Sequence, residues 1–246
     1  MKRRDVFLAT LGLFLAWQVA AIVVNRPILP TPLVVLKVFF TELGQGLLTH
    51  FGYSLWRVTA GTTLSVLTAA PLGLAIGGSQ RWNRVLSPVI YLLYPIPKVV
   101  LVPIVFLLLG IGDLAKITII FLILFFQIVV LVRDQAANIP PQLIQSLRSL
   151  GAGRRALFRF VYFPASLPAI LTALRQSIGT AVAVLYVTEL FATKYGLGYY
   201  IYYNGSTLLD YPAMYAGVIA MSLLGLGMYF AVDWMERKLC RWKFVN

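Results

Sequence analysis

The sequence predicts an all-α integral membrane protein with six transmembrane helices, and three observations support this. Of the 246 residues, 60% are hydrophobic and 12% charged, whereas soluble domains average about 45–50% apolar and 25% charged. The apolar residues form long runs, each near the roughly 20 residues that a helix needs to cross a bilayer. Basic residues collect in alternate connections between the runs, as expected of cytoplasmic loops. The predicted spans are Val6–Val24, Trp56–Gly78, Val85–Leu109, Leu114–Val132, Ala165–Leu190 and Ala213–Met235.

The first span partly resembles a secretory signal peptide, because a basic start precedes an apolar stretch that ends near "VAA". The stretch from Val6 to Val24 is nevertheless long enough to cross a bilayer. We therefore expect an uncleaved first helix.

The distribution of charge predicts the orientation. One set of connections carries 14 of the 21 lysines and arginines, while Arg26, Lys37 and Lys194 lie in the opposite set. Six spans place both termini on one side, and the positive-inside rule makes that side cytoplasmic. The same rule explains the net charge of +13 without a nucleic-acid partner.

Several polar side chains are predicted within or beside the lipid zone, where ionisable groups are costly and mark functional sites by default. Pro95 and Pro97 interrupt the third span, and broken helices in transporters commonly line a cavity. Lys98 and Arg175 are predicted near the midplane, where two cations would suit an anionic substrate. The alternatives are pairing with backbone carbonyls for Arg175 or Lys98, snorkelling of Lys98 along the kink, and an interfacial position for Glu189. The candidate pathway residues are Tyr91, Tyr94, Lys98, Arg175 and Glu189.

Two segments do not span. Residues 27–55 carry leucines and a phenylalanine at helical spacing, which predicts an external amphipathic segment. Residues 133–164 form a basic cytoplasmic loop, in which Pro140 and Pro141 suit a helix start and Gly151 suits its end. A second short helix is predicted to end at Pro164. This helix–turn–helix is either a surface hairpin held by anionic lipid or a docking element for another protein.

The spacing in this loop favours docking, because it resembles the EAA loop of ATP-binding cassette importer permeases. Gln145, Ser146 and Leu147 stand at the Glu-Ala-Ala positions, Gly151 follows after three residues, and Pro164 ends the motif. Gln145 replaces the family glutamate. The resemblance covers nearly the whole chain and is nearest to nitrate/taurine-type permeases, through "LPTP" (29–32), "HFGYSLWRVTAG" (50–61), "PKVVLVPIVFLLLGIGDLAKI" (97–117) and "TELFATKYGLGYYI" (188–201).

The resemblance implies a type I importer permease fold, with residues 1–246 as one permease domain in the bacterial inner membrane. It further implies a homodimer, two cytoplasmic ATPase subunits that hold ATP and magnesium, and an external substrate-binding protein. The substrate would be a small anion such as a sulfonate, nitrate or bicarbonate, or a vitamin precursor. The residues implied to couple to the ATPase are Gln145, Ser146, Leu147, Arg148, Ser149, Leu150, Gly151 and Pro164.

Other classes of function find less support. The chain has no G-x-x-x-x-G-K-[ST] motif, so we expect it to cradle no ATP phosphates itself. His50 and Cys240 are the only residues of their kinds, so we expect no metal site and no catalytic constellation. A secondary transporter remains the alternative; it would show an internal repeat and mid-span carboxylates, and it would not co-purify with an ATPase.

Overall fold

The computed structural model describes residues 3–191 and 193–243, and every regular element in these ranges is helical, which confirms the all-α prediction. Short π-helical turns occupy Leu43–Leu47, Phe158–Tyr162 and Tyr203–Leu208, and 3-10 turns occupy Lys98–Leu101 and Arg241–Lys243. The helices are α1 (Arg3–Val24), α2 (Pro32–Glu42), α3 (Leu48–Gly77), α4 (Gln80–Leu93), α5 (Val102–Leu109), α6 (Asp113–Ala137), α7 (Pro141–Ser149), α8 (Arg154–Leu157), α9 (Phe163–Glu189), α10 (Leu197–Tyr202) and α11 (Tyr211–Leu239).

Most of the predicted spans correspond to continuous helical stretches. Five stretches within the described residues are long and apolar enough to cross a membrane: Phe7–Val24, Pro32–Gly77, Asp113–Ala137, Arg155–Glu189 and Tyr211–Leu239. Lys2, part of the predicted charge bias, and the C-terminal residues 244–246 lie outside the described residues.

The third predicted span is broken rather than straight. Helix α4 and the stretch Lys98–Leu109 meet at an angle of 74°, and together they are long and apolar enough for a sixth crossing. The break falls at Pro95 and Pro97, which lack the N–H needed to continue a helix. The predicted break at the prolines is therefore confirmed, and residues 85–109 form two helical stretches rather than one helix.

The prediction that Pro164 ends a second short helix is wrong. Helix resumes at Arg154 and continues through the π-helical turn Phe158–Tyr162 into α9, which has Pro164 as its second residue. A π-helical turn changes the backbone hydrogen-bond pattern, and this one lies where a proline ring would otherwise clash with the preceding turn. The second arm of the loop is thus the start of the fifth span itself.

The segment 27–55 is helical for much of its length, as predicted, but it is not separate from the second span. Helix α2 is joined to α3 by a π-helical turn in which Gly46 has φ +134°. A glycine tolerates this conformation where other residues do not. Of the predicted apolar face, Leu47 is buried, whereas Leu33 and Phe40 are exposed. Placement of this segment outside the membrane stays a prediction.

The chain divides into two compact units, Met1–Ser54 with Glu189–Leu224 and Leu55–Thr188 with Gly225–Asn246. In the second unit, glycines allow α3 to approach α6 closely. A Cβ atom on Gly61 would lie 2.7 Å from Ile120 Cγ2, and one on Gly73 would lie 2.9 Å from Val132 Cβ. One on Gly77 would overlap the Arg133 carbonyl. The G-x-x-x-G pattern at 73–77 therefore serves helix packing within one chain.

Candidate coupling segment and pathway residues

Helix α7, the first arm of the coupling segment (residues 141–151), has well-defined ends. Pro141 occupies its first turn, where the N–H groups have no partner within the helix in any case. At its other end Gly151 has φ +81°. The Gly151 N–H bonds to the Arg148 carbonyl at 2.9 Å, and the Ala152 N–H bonds to the Leu147 carbonyl at 3.1 Å. These two bonds form the Schellman motif, so Gly151 ends α7 as the sequence predicts.

The apolar residues of α7 divide between two directions. Ile144 and Leu147 pack on a cluster in the chain's own loop and fifth-span helix, formed by Ile139, Leu157 and Val161. Leu147, grouped with the docking residues, therefore packs on its own chain, because so short a helix is stable only when it buries an apolar stripe. Leu143 and Leu150 stay exposed, as do the polar members of the set, Gln145, Ser146, Arg148 and Ser149.

Lys98 caps the broken end of α4. Its Nζ donates to the carbonyls of Leu93 and Tyr94, at 2.7 and 2.6 Å, and lies 4.7 Å from the centre of the Phe126 ring. Pro97 has no N–H to donate to the Leu93 carbonyl, which accepts a longer 3.3 Å bond from the Ile96 N–H instead. A cation at a helix C-terminus also interacts favourably with the helix dipole. The carbonyl pairing considered as the alternative for Lys98 is thus observed.

The same lysine lines a cleft of about 350 Å³. Tyr94, Gln127 and Thr180 line it as well, and the Gln127 Oε1 atom is buried with no hydrogen-bond partner among the described residues. A buried polar atom without a partner costs about 1–3 kcal/mol. Two of the three N–H donors of Lys98 contact carbonyls. The cleft therefore has a cation and, at Gln127 Oε1, a hydrogen-bond acceptor without a partner among the described residues.

Tyr91 does not share this cleft. Its hydroxyl accepts a 2.7 Å hydrogen bond from the buried Arg133, whose guanidinium also lies 4.6 Å from the centre of the Tyr91 ring. This contact fixes α4 against α6. Tyr91 therefore lies outside the Lys98 cleft, and its place on a substrate pathway stays a prediction.

Arg175 is ion-paired within its own unit. Its Nη1 lies 3.0 Å from Asp233 Oδ1 and 3.1 Å from Glu236 Oε2, in the last turns of α11. Lys243 also reaches Glu236, at 2.7 Å. Two carboxylates offset the charge of Arg175, so the argument for an anionic substrate now rests on Lys98. Asp233 and Glu236 lie three residues apart on one helix face, which indicates a cationic neighbour but does not identify it as Arg175.

Glu189 is fully buried and forms hydrogen bonds with Ser54 and Gly198. We call these three residues, together with Gly196 packed closely against the carboxylate, the Glu189 lock. The Ser54 hydroxyl lies 2.9 and 2.8 Å from its two carboxylate oxygens, and the Gly198 N–H donates to one of them at 2.9 Å. Gly196 has φ +131°, and a Cβ there would lie 2.5 Å from Glu189 Oε1. These contacts hold the end of α9 against the start of α10, which is a structural role.

Residues 61–241 match the model of the family described as "Binding-protein-dependent transport system inner membrane component". The chain belongs to this family, and it is a multi-pass inner-membrane transport permease.

The chain is similar over most of its length to curated relatives. It is 30% identical to the taurine transport system permease protein of Escherichia coli (strain K12), over 92% of this chain and 84% of the relative. It is 29% identical to the formylaminopyrimidine transport permease protein of Halalkalibacterium halodurans, over 95% of this chain and 93% of the relative.

Solved structures share the fold. An inward-facing form of the MetNI methionine ABC transporter superimposes with a TM-score of 0.68 at 19% identity, over 80% of this chain and 98% of that one. A bacterial ABC transporter involved in the import of the acidic polysaccharide alginate gives 0.63 at 16% identity, over 96% and 94%. These likenesses agree with the importer permease fold that the sequence predicts.

Proposed function

We propose that this chain is the permease subunit of an ATP-driven importer, a homodimer that works with two cytoplasmic ATPase subunits and an external binding protein. The observation that supports this best is the coupling segment, a short helix with an exposed polar face that the Gly151 cap ends sharply. Leu143 and Leu150 beside that face are suited to filling a groove in a partner. Because the sequence has no phosphate-binding motif, ATP and magnesium would bind to the partner.

The packing of α7 suggests how ATP closure would reach the membrane. Ile144 and Leu147 pack against the cluster of Ile139, Leu157 and Val161, and the last two lie near the start of the helical stretch that continues to Glu189. A displacement of α7 by the ATPase would therefore move the start of the fifth span with it. A stiff connection of this kind transmits a rigid-body shift between two packed arrangements.

The substrate we propose is a small oxyanion such as a sulfonate, or a vitamin precursor. Relatives named for taurine and for formylaminopyrimidine represent these two chemistries. The cleft at Lys98 favours the oxyanion through its ammonium group, whereas the buried Gln127 Oε1 could accept a hydrogen bond only from an N–H or O–H group of the substrate. Tyr94 and Thr180 would complete the wall.

Lys98→Met is expected to reduce both the folded protein and the transport per folded molecule. Two carbonyls lose the hydrogen bond from Lys98, which lowers stability, and the cleft loses its cation. Lys98→Arg, which keeps both the charge and the capping group, is the matched control. Folded protein is measured by size-exclusion chromatography from detergent extracts. Transport is measured with the substrate that the partner binding protein is found to bind. Unchanged transport per folded Lys98→Met molecule would show that Lys98 only caps α4.

The proposed orientation puts both termini in the cytoplasm and residues 191–212 outside. Ser206→Cys, at an exposed site, should then react with an impermeant maleimide from outside, and Ser149→Cys should react only after permeabilisation. The native Cys240 is buried, which raises the pKa of its thiol and slows labelling; Cys240→Ser removes it altogether. The reverse pattern at positions 149 and 206 would invert the topology.

Co-purification tests the proposed function itself. Affinity purification of the tagged full chain from its native membrane should recover a subunit with the G-x-x-x-x-G-K-[ST] motif and vanadate-sensitive ATP hydrolysis. Equal molar amounts of permease and ATPase are expected from two of each per complex. A chain that purifies alone and still transports when reconstituted would instead be a secondary transporter.

A further inference from the structure

A second cleft, of about 630 Å³, lies between the coupling segment and the turn that joins α3 to α4. Arg81 of α4 and Arg148 of α7 both line it, and the cleft lining includes no acidic residue. Among the described residues, no ion pair joins either arginine to a carboxylate, although carboxylates neutralise Arg57, Arg133 and Arg175. The lining therefore carries two positive charges and no negative one, which favours an anion.

The backbone beside Arg81 adds to this preference. Helix α4 has 14 residues and starts in the cleft, and its N-cap Ser79 makes no side-chain capping hydrogen bond. The first N–H groups of the helix thus have no partner within it, and the helix dipole is positive at this end. Taken with the two arginines, these groups are typical of a site for phosphate oxygens.

The remaining wall is apolar, which a soluble anion would not need. Leu74 and Leu157 are buried at its base, while Trp82 and Phe158 are exposed. The cleft includes the last turn of α3, where the apolar stretch ends at Gly77. An exposed tryptophan at the end of a span is typical of the membrane interface. The cleft thus has exposed apolar side chains beside a pair of cations.

We propose that this cleft binds the phosphate headgroup of an anionic phospholipid such as phosphatidylglycerol. Arg81, Arg148 and the start of α4 would contact the phosphate, and Trp82 and Phe158 would contact the glycerol and upper acyl chain. Basic pockets between transmembrane helices commonly bind anionic headgroups. Because Arg148 belongs to α7, the lipid would tie the coupling segment to α4. The site is independent of the transported substrate.

The test uses the purified full chain in detergent micelles, with thermal unfolding followed during addition of phosphatidylglycerol or of zwitterionic phosphatidylcholine. Phosphatidylglycerol is expected to raise the unfolding midpoint and phosphatidylcholine to leave it unchanged. Arg81→Gln should shift half-saturation to about fivefold more phosphatidylglycerol, from about 1 kcal/mol per arginine. Arg84→Gln, which removes the same charge from the same helix outside the cleft lining, should titrate like the unmodified chain.

Three results would overturn the proposal. Equal weakening by Arg81→Gln and Arg84→Gln would show only a diffuse surface charge effect. Full stabilisation by inorganic phosphate alone would make the ligand a soluble anion. Equal stabilisation by phosphatidylcholine would show that the arginines do not select an anionic headgroup. Should Arg81→Gln not fold, the same titration is done with Arg148→Gln, the other arginine of the cleft, and with Arg155→Gln as its control outside the lining.

Discussion

Gly196→Ala is expected to remove most of the folded protein. A Cβ at this position would lie 2.5 and 2.6 Å from the two carboxylate oxygens of Glu189, and φ is +131°. The added methyl would displace a buried carboxylate from Ser54 and Gly198. Each hydrogen bond to a charged group is worth roughly 1.5–3 kcal/mol, and backbone strain adds roughly 1–3 kcal/mol. Together these losses approach the roughly 5–15 kcal/mol that stabilises a typical protein.

The matched control for this substitution is Gly52→Ala. Gly52 lies inside α3 with nothing within 4 Å of a Cβ atom, and alanine is the better helix former. Gly52→Ala should therefore express at least as well as the unmodified chain, as measured by size-exclusion chromatography of membrane extracts. A normal yield of folded Gly196→Ala would mean that the Glu189 lock does not stabilise this part of the chain.

Gly151→Val is expected to leave the protein in the membrane but to uncouple transport, and to reduce ATPase recovery per permease about tenfold. Nothing lies within 4 Å of a Cβ at Gly151, but its φ is +81°, a conformation that a β-branched residue strongly disfavours. Holding valine there costs about 1–2 kcal/mol, and about 1.4 kcal/mol corresponds to a factor of ten. The strain falls on the end of α7, outside the spans, so insertion should be unaffected.

Gly153→Val controls for the size of the added side chain, because Gly153 also has an open Cβ position and has no positive φ. The Gly153→Val variant should recover most of the ATPase that co-purifies with the unmodified chain. Equal loss from both variants would indicate that bulk, rather than the Schellman end of α7, disturbs docking. If Gly151→Val recovers as much ATPase per permease as the unmodified chain, the Gly151 cap does not support the coupling proposal.

Features set by local sequence were predictable. Apolar length identified the membrane-crossing stretches, and the position of Gly151 identified the end of α7 because only a few residues favour positive φ. The break at Pro95 and Pro97 was equally local. The prediction that a helix ends at Pro164 failed because a proline usually stops a helix, and the composition of the sequence does not indicate the π-helical turn before it.

Contacts between distant residues were not predictable. Ser54 and Glu189 are 135 positions apart, and nothing in either local pattern indicates that they meet. The pairing of Arg175 with Asp233 and Glu236 depends on the rotation of two helices about their axes, which hydropathy alone does not fix. Lys98 was recognised as an unusual cation in a span, but its carbonyl partners required the geometry of the broken helix.

The most direct test of the coupling claim is crosslinking from α7 in the assembled complex. A cysteine-linked benzophenone at Ser149→Cys, in a Cys240→Ser background, is irradiated in native membranes beside the same probe at Ser206→Cys. Ser149 is exposed on α7, so its probe should crosslink to the ATPase subunit, and the probe at position 206 should not. Crosslinks from position 149 only to lipid, or to no protein at all, would contradict the account and favour a surface hairpin.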